Sequence, residues 1–479
     1  MVAGDRYGVV LAAGEGKRLR SSVPKVLHRV AGRSLVGHVL SAVSGVGLDR
    51  VVVVVSANTE AFTEALEADG LGMDVELVVQ DPPAGTADAV RIALDHIGSA
   101  AGSALIVAGD TPLIDGNTLG TLLGEHDERG SSVTLLTADV ENPAGYGRIV
   151  RSEDGSVDRI VEDADATDEE RSLAEINSGT YVFDLERLTE MIAKVDKENR
   201  QGEYYLTDMV ELLRSAGDGI GAVLASEEEV RGVNTRVQLA SVREALNRKT
   251  CEALLEQGVG IVDPSTTYID VTVEIAPEAV ILPFTFLEGR TRIGERAEVG
   301  PQTRIVDSEI GPDAEVSFAV VRDSIVGPEA SVGPFASLRP GTRLERGARA
   351  GTFVETKKTT IGEGSKANHL AYLGDAEIGR GVNVGAGSIT CNWDGKEKHK
   401  TIIEDDAYIA SDTMLVAPTR IGKRAATGAG SVVRGDVPDD ALAVGVPARI
   451  IEGKGDKLGR KPGKKSPPET EGDAGGAGQ

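Results

Sequence analysis

The chain has 479 residues, which is more than one compact domain usually holds, so we expect two or three domains. Its formal net charge of −25 disfavours nucleic acid and anionic membranes as partners, because their phosphate groups would be repelled. No apolar run approaches the roughly 18 residues needed to cross a bilayer, and the N-terminus lacks the pattern of a signal peptide. We therefore predict a soluble, cytoplasmic protein with neither a nucleic-acid nor a membrane partner.

The remaining composition fits that location. Only Cys251 and Cys391 occur, and two reduced thiols suit a cytosolic chain better than the single disulfide they could form. The 59 glycines indicate many tight turns or close approaches of the backbone to ligands. Aromatic residues make up only 3%, so we expect a core built mainly from Val, Ile, Leu and Ala.

Residues 1–235 alternate short aliphatic segments with helical patterns. Residues 85–97 place Ala89, Ala93 and Ile97 on one face of a predicted helix. Continuous Val and Ile runs separated by helices are typical of a parallel sheet that is covered on both faces. We therefore predict a Rossmann-like α/β domain whose ligands bind at the carboxyl ends of the strands. The predicted strands cover 7–14, 50–57, 75–80, 103–110 and 132–140.

The pattern changes after residue 235. Residues 236–257 contain few helix breakers and are predicted to form a linking helix. Beyond them aliphatic residues recur every six positions, as at Ile293, Val299 and Ile305, which indicates a β-helix of hexapeptide repeats over 258–452. The last segment, 453–479, is rich in Lys, Gly, Pro and Glu and is predicted to be disordered.

The segment LAAGEGKRLRSSVPKVL (11–27), directly after the first strand, carries the first functional motif. Gly14 and Gly16 let the backbone approach a ligand, although a plain tight turn would also explain them, and Arg18 and Lys25 add positive charge. The spacing G-x-G-x-R-x-R…P-K lacks the ending of a P-loop and the third glycine of a dinucleotide fingerprint. It closely resembles the signature of the sugar-1-phosphate nucleotidyltransferases.

Further matches to that family occur in chain order: PPAGTADAV (82–90), VAGDTPLI (107–114), GYGRIV (145–150), IVED (160–163), EINSG (175–179), QGEYYLTD (201–208) and GVNTR (232–236). The resemblance implies a catalytic role for Arg18 and Lys25. It also implies one or two Mg²⁺ ions bound by Asp110 and Asn234. The implied contacts to UTP and the sugar phosphate are Leu11, Ala12, Ala13, Gly14, Lys25, Gln80, Gly85, Thr86, Gly147, Glu162, Asn177 and Asn234.

These residue types suit phosphoryl transfer. An oxygen of the sugar phosphate must attack the α-phosphorus of a nucleoside triphosphate and expel pyrophosphate, so two anions must be neutralised and aligned. Mg²⁺ with oxygen ligands, together with Arg18 and Lys25, would achieve this without a covalent nucleophile. Lys17 and Pro83 depart from the family's usual residues, which affects the expected nucleotide contacts rather than the reaction class.

A second group of chemically active residues interrupts the hexapeptide repeats. The stretch SKANHLAYLG (365–374) carries a histidine and a tyrosine that a β-helix coil does not require. FASLRPG (335–341) and FVETKK (353–358) add Arg339 and Lys357, and NVGAGSITCNWDGKEKHKT (383–401) leaves the period in a polar loop. Residues 6–450 as a whole resemble the family of bacterial bifunctional N-acetylglucosamine-1-phosphate uridylyltransferases/glucosamine-1-phosphate acetyltransferases.

That resemblance implies left-handed coils, a homotrimer and acetyl-CoA as cosubstrate. It makes His369 the general base, a role suited to an imidazole whose pKa lies near the working pH. Trp393 replaces a tyrosine common in the family, and an arginine expected before a late V-P is missing from VGVPAR (444–449). The implied glucosamine 1-phosphate contacts are Arg339, Lys357, Tyr372 and Asn383, and the implied acetyl-CoA contacts are Ala386, Asn392, Trp393, Ser411 and Ala429.

The sequence thus predicts a bifunctional transferase. It would acetylate glucosamine 1-phosphate and then convert the product, N-acetylglucosamine 1-phosphate, and UTP into UDP-N-acetylglucosamine for peptidoglycan precursors. In one alternative the β-helix only assembles or regulates a single-activity nucleotidyltransferase, which His369 and Lys357 disfavour. In another the chain is a non-catalytic assembly subunit, which Arg18, Lys25 and Asp110 disfavour.

Overall fold

A computed structural model of the chain describes residues 5–14, 16–98 and 101–454, and the chain divides into two compact units between Thr250 and Cys251. Within these ranges no helix combines the length and apolar character needed to cross a membrane. Cys251 and Cys391 are both free thiols. The predicted disordered tail lies outside the described residues from 455 onward.

The first unit is built on one twisted sheet in the order β11-β7-β10-β6-β1-β4-β5. Strands β6, β1, β4 and β5 are mutually parallel, which confirms the predicted Rossmann-like sheet. Strand β10, which the sequence patterns did not reveal, runs antiparallel between β6 and β7 and also pairs with the β8–β9 hairpin. The strands are β1 (Arg6–Ala12), β2 (Arg29–Val30), β3 (Arg33–Ser34), β4 (Arg50–Val55), β5 (Glu76–Val79), β6 (Ser103–Ala108), β7 (Val133–Asp139), β8 (Arg148–Arg151), β9 (Val157–Val161), β10 (Glu175–Asp184) and β11 (Ile220–Leu224).

Helices cover both faces of this sheet. Val9 and Val10 are neighbours in β1 yet belong to separate apolar cores, because successive side chains of a strand point to opposite faces. One core includes α3 and α7, and the other includes α1 and α4. The helices are α1 (Leu35–Val43), α2 (Thr59–Asp69), α3 (Thr86–Ile97), α4 (Gly116–Arg129), α5 (Asp168–Arg171), α6 (Leu185–Met191), α7 (Asp208–Ser215) and α8 (Arg236–Glu256), with 3-10 turns at Lys17–Leu19, Lys25–Leu27 and Ile192–Lys194.

Helix α8 matches the predicted linking helix to within one residue at its end. Its first half buries Leu239, Val242 and Leu246 in a small core of the first unit. Cys251 and Leu254 near its end belong to the core of the second unit.

The second unit is a stack of short parallel strands, as predicted for hexapeptide repeats. The strands are β12 (Gly260–Ile261), β13 (Tyr268–Ile269), β14 (Glu274–Ile275), β15 (Val280–Ile281), β16 (Phe286–Glu288), β17 (Arg292–Ile293), β18 (Glu298–Val299), β19 (Arg304–Val306), β20 (Glu309–Ile310), β21 (Glu315–Val316), β22 (Val320–Arg322), β23 (Ser324–Val326), β24 (Ser331–Val332), β25 (Ser337–Leu338), β26 (Thr342–Leu344), β27 (Arg349–Lys357), β28 (Thr360–Ile361), β29 (Lys366–Gly374), β30 (Ala376–Ile378), β31 (Asn383–Val384), β32 (Ile389–Cys391), β33 (Thr401–Ile403), β34 (Tyr408–Ile409), β35 (Met414–Val416), β36 (Thr419–Ile421), β37 (Ala426–Thr427), β38 (Val432–Val433), β39 (Leu442–Val444) and β40 (Arg449–Ile451).

These strands form the three faces of a β-helix, and their arrangement fits left-handed winding. We name the faces X, Y and Z after the strands β31, β32 and β33. Each coil contributes one aliphatic residue per face to a continuous interior, and Ile293, Val299 and Ile305 are each at most 3% exposed. The predicted β-helix is therefore confirmed. The six-residue period arises because every sixth side chain points into the interior and is buried.

The corner between faces X and Y, which we call the XY corner, has a recurring backbone geometry. Residues there have positive φ in successive coils, for example Phe335 (φ 59°), Phe353 (φ 58°) and Leu370 (φ 38°). Strands β27 and β29 run continuously through the corner, with Thr352 opposite His369. The corner therefore repeats once per coil and aligns functional positions in a column.

We expect the stack to depend on its interior residues. Leu344 in β26 is fully buried, whereas Arg343 beside it is half exposed and pairs with Glu345. Leu344→Ala should cost about 2–5 kcal/mol through lost burial and a residual cavity. Arg343→Ala should cost at most about 1 kcal/mol, as for other surface ion pairs. Calorimetric melting of the full chain measures both, and equal shifts of the two variants would contradict this account of the interior.

Two candidate active sites

The first unit contains a cavity of about 700 Å³ next to the carboxyl ends of β1 and β6. Its position agrees with the expectation that ligands bind at the carboxyl ends of parallel strands. Ala12, Arg18, Gly147 and Asn234 are not among its lining residues. The predicted residues that line it are Leu11, Ala13, Gly14, Lys25, Gln80, Gly85, Thr86, Asp110, Glu162 and Asn177.

One end of the cavity is formed by a loop whose backbone is tightly held. Gly85 has φ 116°, and a Cβ there would lie 2.4 Å from the carbonyl oxygen of Tyr204, so only glycine fits. Gln80 is buried and its amide donates to the Gly85 carbonyl at 3.0 Å. The Thr86 hydroxyl accepts from the Leu206 N–H at 2.9 Å. This end therefore presents a rigid, largely uncharged loop.

Lys25 and Asp110 line another part of the cavity, and Lys25 also contacts Asn234, which is not a lining residue. The Lys25 ammonium forms an ion pair with Asp110 and donates to the Asn234 side-chain oxygen at 3.1 Å. Sequence spacing could not predict that Asp110 and Asn234 lie close together. In the structure the Val233 N–H donates to the Asp110 carbonyl at 2.9 Å and holds the two segments side by side. A carboxylate and an amide oxygen are ligands that Mg²⁺ accepts.

Arg18 differs from the other predicted residues of this unit. Its side chain is exposed in the 3-10 turn Lys17–Leu19 rather than lining the cavity. Its role stays a prediction. The described residues contain no group of three or more His, Cys, Asp or Glu side chains placed to hold a metal ion. A cation bound at Asp110 and Asn234 would therefore need further oxygen ligands from water or phosphate.

Glu162 lines the cavity, and other acidic groups lie near it. Burial raises the pKa of the Glu162 carboxyl, and nearby carboxylates add to the rise, while the Thr207 hydroxyl donates to it at 3.1 Å. Burial and the charges of Asp196 and Glu211 raise the pKa of Asp208 to about 6. Because anions are disfavoured in such surroundings, the space beside Glu162 suits an uncharged part of a ligand.

Gly147 and Asn177 lie beside Glu162, and their role as sugar-phosphate contacts stays a prediction. A Cβ at Gly147 would be 3.0 Å from the Ile160 Cγ2, and 3.6 Å from both the Glu162 side-chain oxygen and the Asn177 Cβ. A larger residue at 147 would therefore crowd Ile160 first. Thr207, which the sequence analysis left without a role, is the hydroxyl partner of Glu162, and only the motif QGEYYLTD (201–208) pointed to it.

The second site lies on the β-helix. His369, Ala386, Ser411 and Ala429 each precede the positive-φ position of the XY corner in successive coils. The Asp412 N–H donates to the Ala386 carbonyl at 2.7 Å, and the Gly430 N–H donates to the Ser411 carbonyl at 2.9 Å. Four predicted residues thus form one column along the corner.

Two members of this column, His369 and Ala386, have groups that are free to contact a ligand. His369 is exposed, and within the described chain the Ala386 N–H has no hydrogen-bond acceptor. A backbone donor without a partner, next to an accessible imidazole in the preceding coil, is suited to an oxygen that gains negative charge.

Face Y carries a cluster of cations next to the column. The Arg339 N–H donates to the Thr356 carbonyl at 2.9 Å, which places Arg339 beside Lys357 in the next coil. The ammonium of Lys398 lowers the pKa of Lys357, and Arg339 contributes in the same direction. Tyr372 lies in the following coil, in β29, at the position next to Glu355 of β27 in the strand register.

Lys398 is a residue that the sequence analysis missed. It belongs to the loop between β32 and β33, where Trp393 and Lys398 form an antiparallel bridge. Asp394 accepts from the Lys396 and Glu397 N–H groups at 2.7 Å each, so the loop is a closed hairpin rather than a loose insertion. Its motif KEKHK offered three lysines, and sequence alone could not show which one returns to face Y.

Two further predicted residues occupy unexpected positions within a single chain. Asn392 is buried and donates to Asp375 at 2.5 Å, whereas the adjacent Trp393 is 57% exposed. Asn383 pairs with Lys366 on face X, on the other side of the XY corner from Tyr372. One chain therefore does not place Asn383 with the cations of face Y.

Comparisons with known proteins agree with both units. Residues 7–229 match the Nucleotidyl transferase family, which covers the first sheet and its cavity. The chain is 49% identical to the bifunctional protein GlmU of Thermobifida fusca, over 93% of each protein. It is 47% identical to GlmU of Carboxydothermus hydrogenoformans, over 91% of this chain and 97% of that protein. Identity to GlmU of Streptomyces coelicolor is also 47%, over 91% of each. With such identity across both units, this chain is a transferase of the GlmU family of bifunctional proteins.

Proposed function

We propose that the chain carries out two consecutive reactions on one sugar. The β-helix transfers an acetyl group from acetyl-CoA to glucosamine 1-phosphate. The first unit then transfers a uridylyl group from UTP to the product, giving UDP-N-acetylglucosamine and pyrophosphate. The observation that carries this proposal is that Lys25, which lines the cavity with Asp110, contacts both Asp110 and Asn234. Both nucleotide and acyl donors belong to the cytoplasm, which is where we place the protein.

In the uridylyl reaction the cavity aligns two anions by charge. Asp110 and Asn234 would hold Mg²⁺, which when bound neutralises phosphate oxygens. Lys25 would bind the phosphates at the same end, and Arg18 would approach from its 3-10 turn. The rigid loop at Gly85 and Thr86, with Gln80 behind it, would hold the uracil base by shape and backbone contacts.

The acidic groups near Glu162 would orient the sugar. A phosphate would be repelled near Glu162 and Asp208, so the sugar phosphate enters with its hydroxyl and acetamido groups toward Glu162, Asn177 and Gly147. Its phosphate then faces Lys25, where the α-phosphorus of UTP is attacked in line. The electrostatic difference between Lys25 and the acidic groups near Glu162 supports this single orientation.

In the acetyl reaction the XY corner supplies the base and the donor. The exposed His369 imidazole would accept a proton from the amino group of glucosamine 1-phosphate. The nitrogen lone pair then attacks the thioester carbonyl, and the electron pair of the broken C–S bond leaves with CoA. The Ala386 N–H would stabilise the oxygen that becomes negative. Ser411 and Ala429 continue the column, and Trp393 and Asn392 flank it, as a surface for CoA.

The cations of face Y would bind the phosphate of this sugar. Arg339, Lys357 and Lys398 concentrate positive charge, which lowers the pKa of Lys357, and Glu355 pairs with Arg339 at 2.8 Å. Bringing like charges together is unfavourable without an anion between them. A phosphate group would reverse that repulsion, with Tyr372 completing the pocket.

We also propose a homotrimer. Phe335, Phe353 and Leu370 form an exposed apolar ridge at the XY corner, each more than half exposed, and neighbouring phenyl rings stack at 5.6 Å. Such a ridge is typical of a surface that packs against another chain. Packing face X of one chain against face Y of another would also bring Asn383 to the cations that a single chain keeps apart.

The two reactions should be separable by single substitutions. Asp110→Asn removes the carboxylate that would hold Mg²⁺, so uridylyl transfer should fall at least about 100-fold. His369→Ala should lower acetyl transfer about 100- to 10,000-fold through loss of the base. Separate assays of CoA release and pyrophosphate release measure both steps, and each variant should keep the other activity. Unchanged acetyl transfer in His369→Ala would favour a β-helix that only assembles or regulates the enzyme.

Lys398 should bind the phosphate of the acceptor sugar. Lys398→Ala should raise KM for glucosamine 1-phosphate about tenfold while KM for acetyl-CoA stays nearly constant. Lys396→Ala is the matched control, because its exposed side chain lies on the same hairpin. Steady-state kinetics of CoA release at varied sugar concentration would test this, and equal KM values for the two variants would argue against the assignment.

The apolar ridge should hold the trimer. Phe353→Asp places a charge in the ridge and should release monomers, with acetyl transfer lost and uridylyl transfer retained. Phe353→Leu keeps the ridge apolar and should stay trimeric. Size-exclusion chromatography with light scattering measures the mass of each. A trimeric Phe353→Asp, or a monomeric parent chain, would refute this role.

A further inference from the structure

Arg148 is the largest fully buried side chain in the described part of the chain. It begins β8, pairs with Val161 in β9 and with Ile176 in β10, and its side chain is 2% exposed. Burying a guanidinium is unfavourable unless its hydrogen bonds are made, and buried ion pairs add little net stability. A charge in this position is therefore better explained by the geometry it imposes than by stability alone.

The guanidinium joins two separate segments of the first unit. One terminal nitrogen donates to the Tyr146 carbonyl. The other donates to the Asp163 carboxylate at 3.1 Å and to the Arg171 carbonyl at 3.5 Å. Asp163 is 38% exposed, so this ion pair joins a carboxylate near the surface to a guanidinium that solvent barely reaches.

Each of these segments carries a group of the proposed sugar site. Tyr146 directly precedes Gly147, and Asp163 directly follows Glu162. The Gly147 carbonyl also accepts from the Asn177 N–H at 2.9 Å. A shift of either segment therefore changes the spacing between Gly147 and Glu162.

We propose that Arg148 is a positioning residue that fixes the Glu162 carboxylate at the correct distance from the Gly147 backbone, and thereby sets affinity for the sugar. It does so from behind the site and does not touch the substrate. This rests on the proposed uridylyl reaction. A planar guanidinium can bond two segments at once, whereas the single ammonium of lysine cannot reproduce that fork.

Arg148→Lys tests the geometry while keeping the charge. We expect KM for N-acetylglucosamine 1-phosphate to rise about tenfold, with KM for UTP changed less than about twofold. Isothermal calorimetry with Mg²⁺ and the full chain compares the affinities for UDP and UDP-N-acetylglucosamine. The parent chain should bind UDP-N-acetylglucosamine more tightly than UDP, and Arg148→Lys should lose this difference. CoA release by the β-helix should be unchanged.

Arg151→Lys is the matched control. Arg151 lies three residues further along β8 and makes two bonds to Glu175, away from Gly147 and Glu162. It should leave both KM values unchanged. Asp163→Asn keeps an acceptor oxygen but loses the charge, so it should raise the sugar KM in the same direction by a smaller factor.

The outcomes separate this inference from the proposed function. If the parent chain gains no affinity from the sugar of UDP-N-acetylglucosamine, the proposed uridylyl reaction fails. If the parent gains it and Arg148→Lys loses thermal stability with both KM values unchanged, Arg148 is only structural and the inference is overturned. If Arg148→Lys does not fold, Asp163→Asn decides, and an unchanged sugar KM there also overturns it.

Discussion

The β-helix depends on one constraint, the backbone hydrogen bonding of each coil to the next. Because the strands are parallel and nearly in register, a residue type that recurs at one position forms a column along a face or corner. Interior columns are aliphatic and give the unit its core. The XY corner column carries His369 and Ala386, and face Y collects Arg339 and Lys357 from neighbouring coils. The same register thus serves packing and chemistry.

In the first unit, by contrast, the candidate site is formed by loops that converge at one edge of a sheet. Lys25, Asp110 and Asn234 come from distant segments and meet because their strands end at the same edge. The cavity is lined both by the Lys25–Asp110 ion pair and by Glu162, a carboxyl whose pKa is raised by burial. In the proposed uridylyl reaction, these groups would orient a molecule with a charged and an uncharged part, without a dedicated contact for each of its atoms.

Sequence patterns revealed the periodic features well and the convergent ones poorly. The parallel strands, α8 and the buried hexad residues such as Ile305 result from local periodicity, which needs only near neighbours. Strand β10 escaped because its polar EINSG start breaks the aliphatic pattern, and its partners are antiparallel. Lys398 and Thr207 escaped because their partners, Lys357 and Glu162, are fixed by tertiary folding. The separation of Asn383 from Tyr372 by a corner likewise needed three dimensions.

The hairpin between β32 and β33 shows how such a scaffold tolerates novelty. It leaves at Cys391 and returns at Thr401, and the coils on either side keep their pairing. A closed excursion of this kind can change in length or composition without altering the register of the later coils. If Lys398 binds the acceptor as proposed, acceptor preference can diverge between relatives by exchange of one surface turn, while the hydrogen bonds that hold the coils together lie elsewhere.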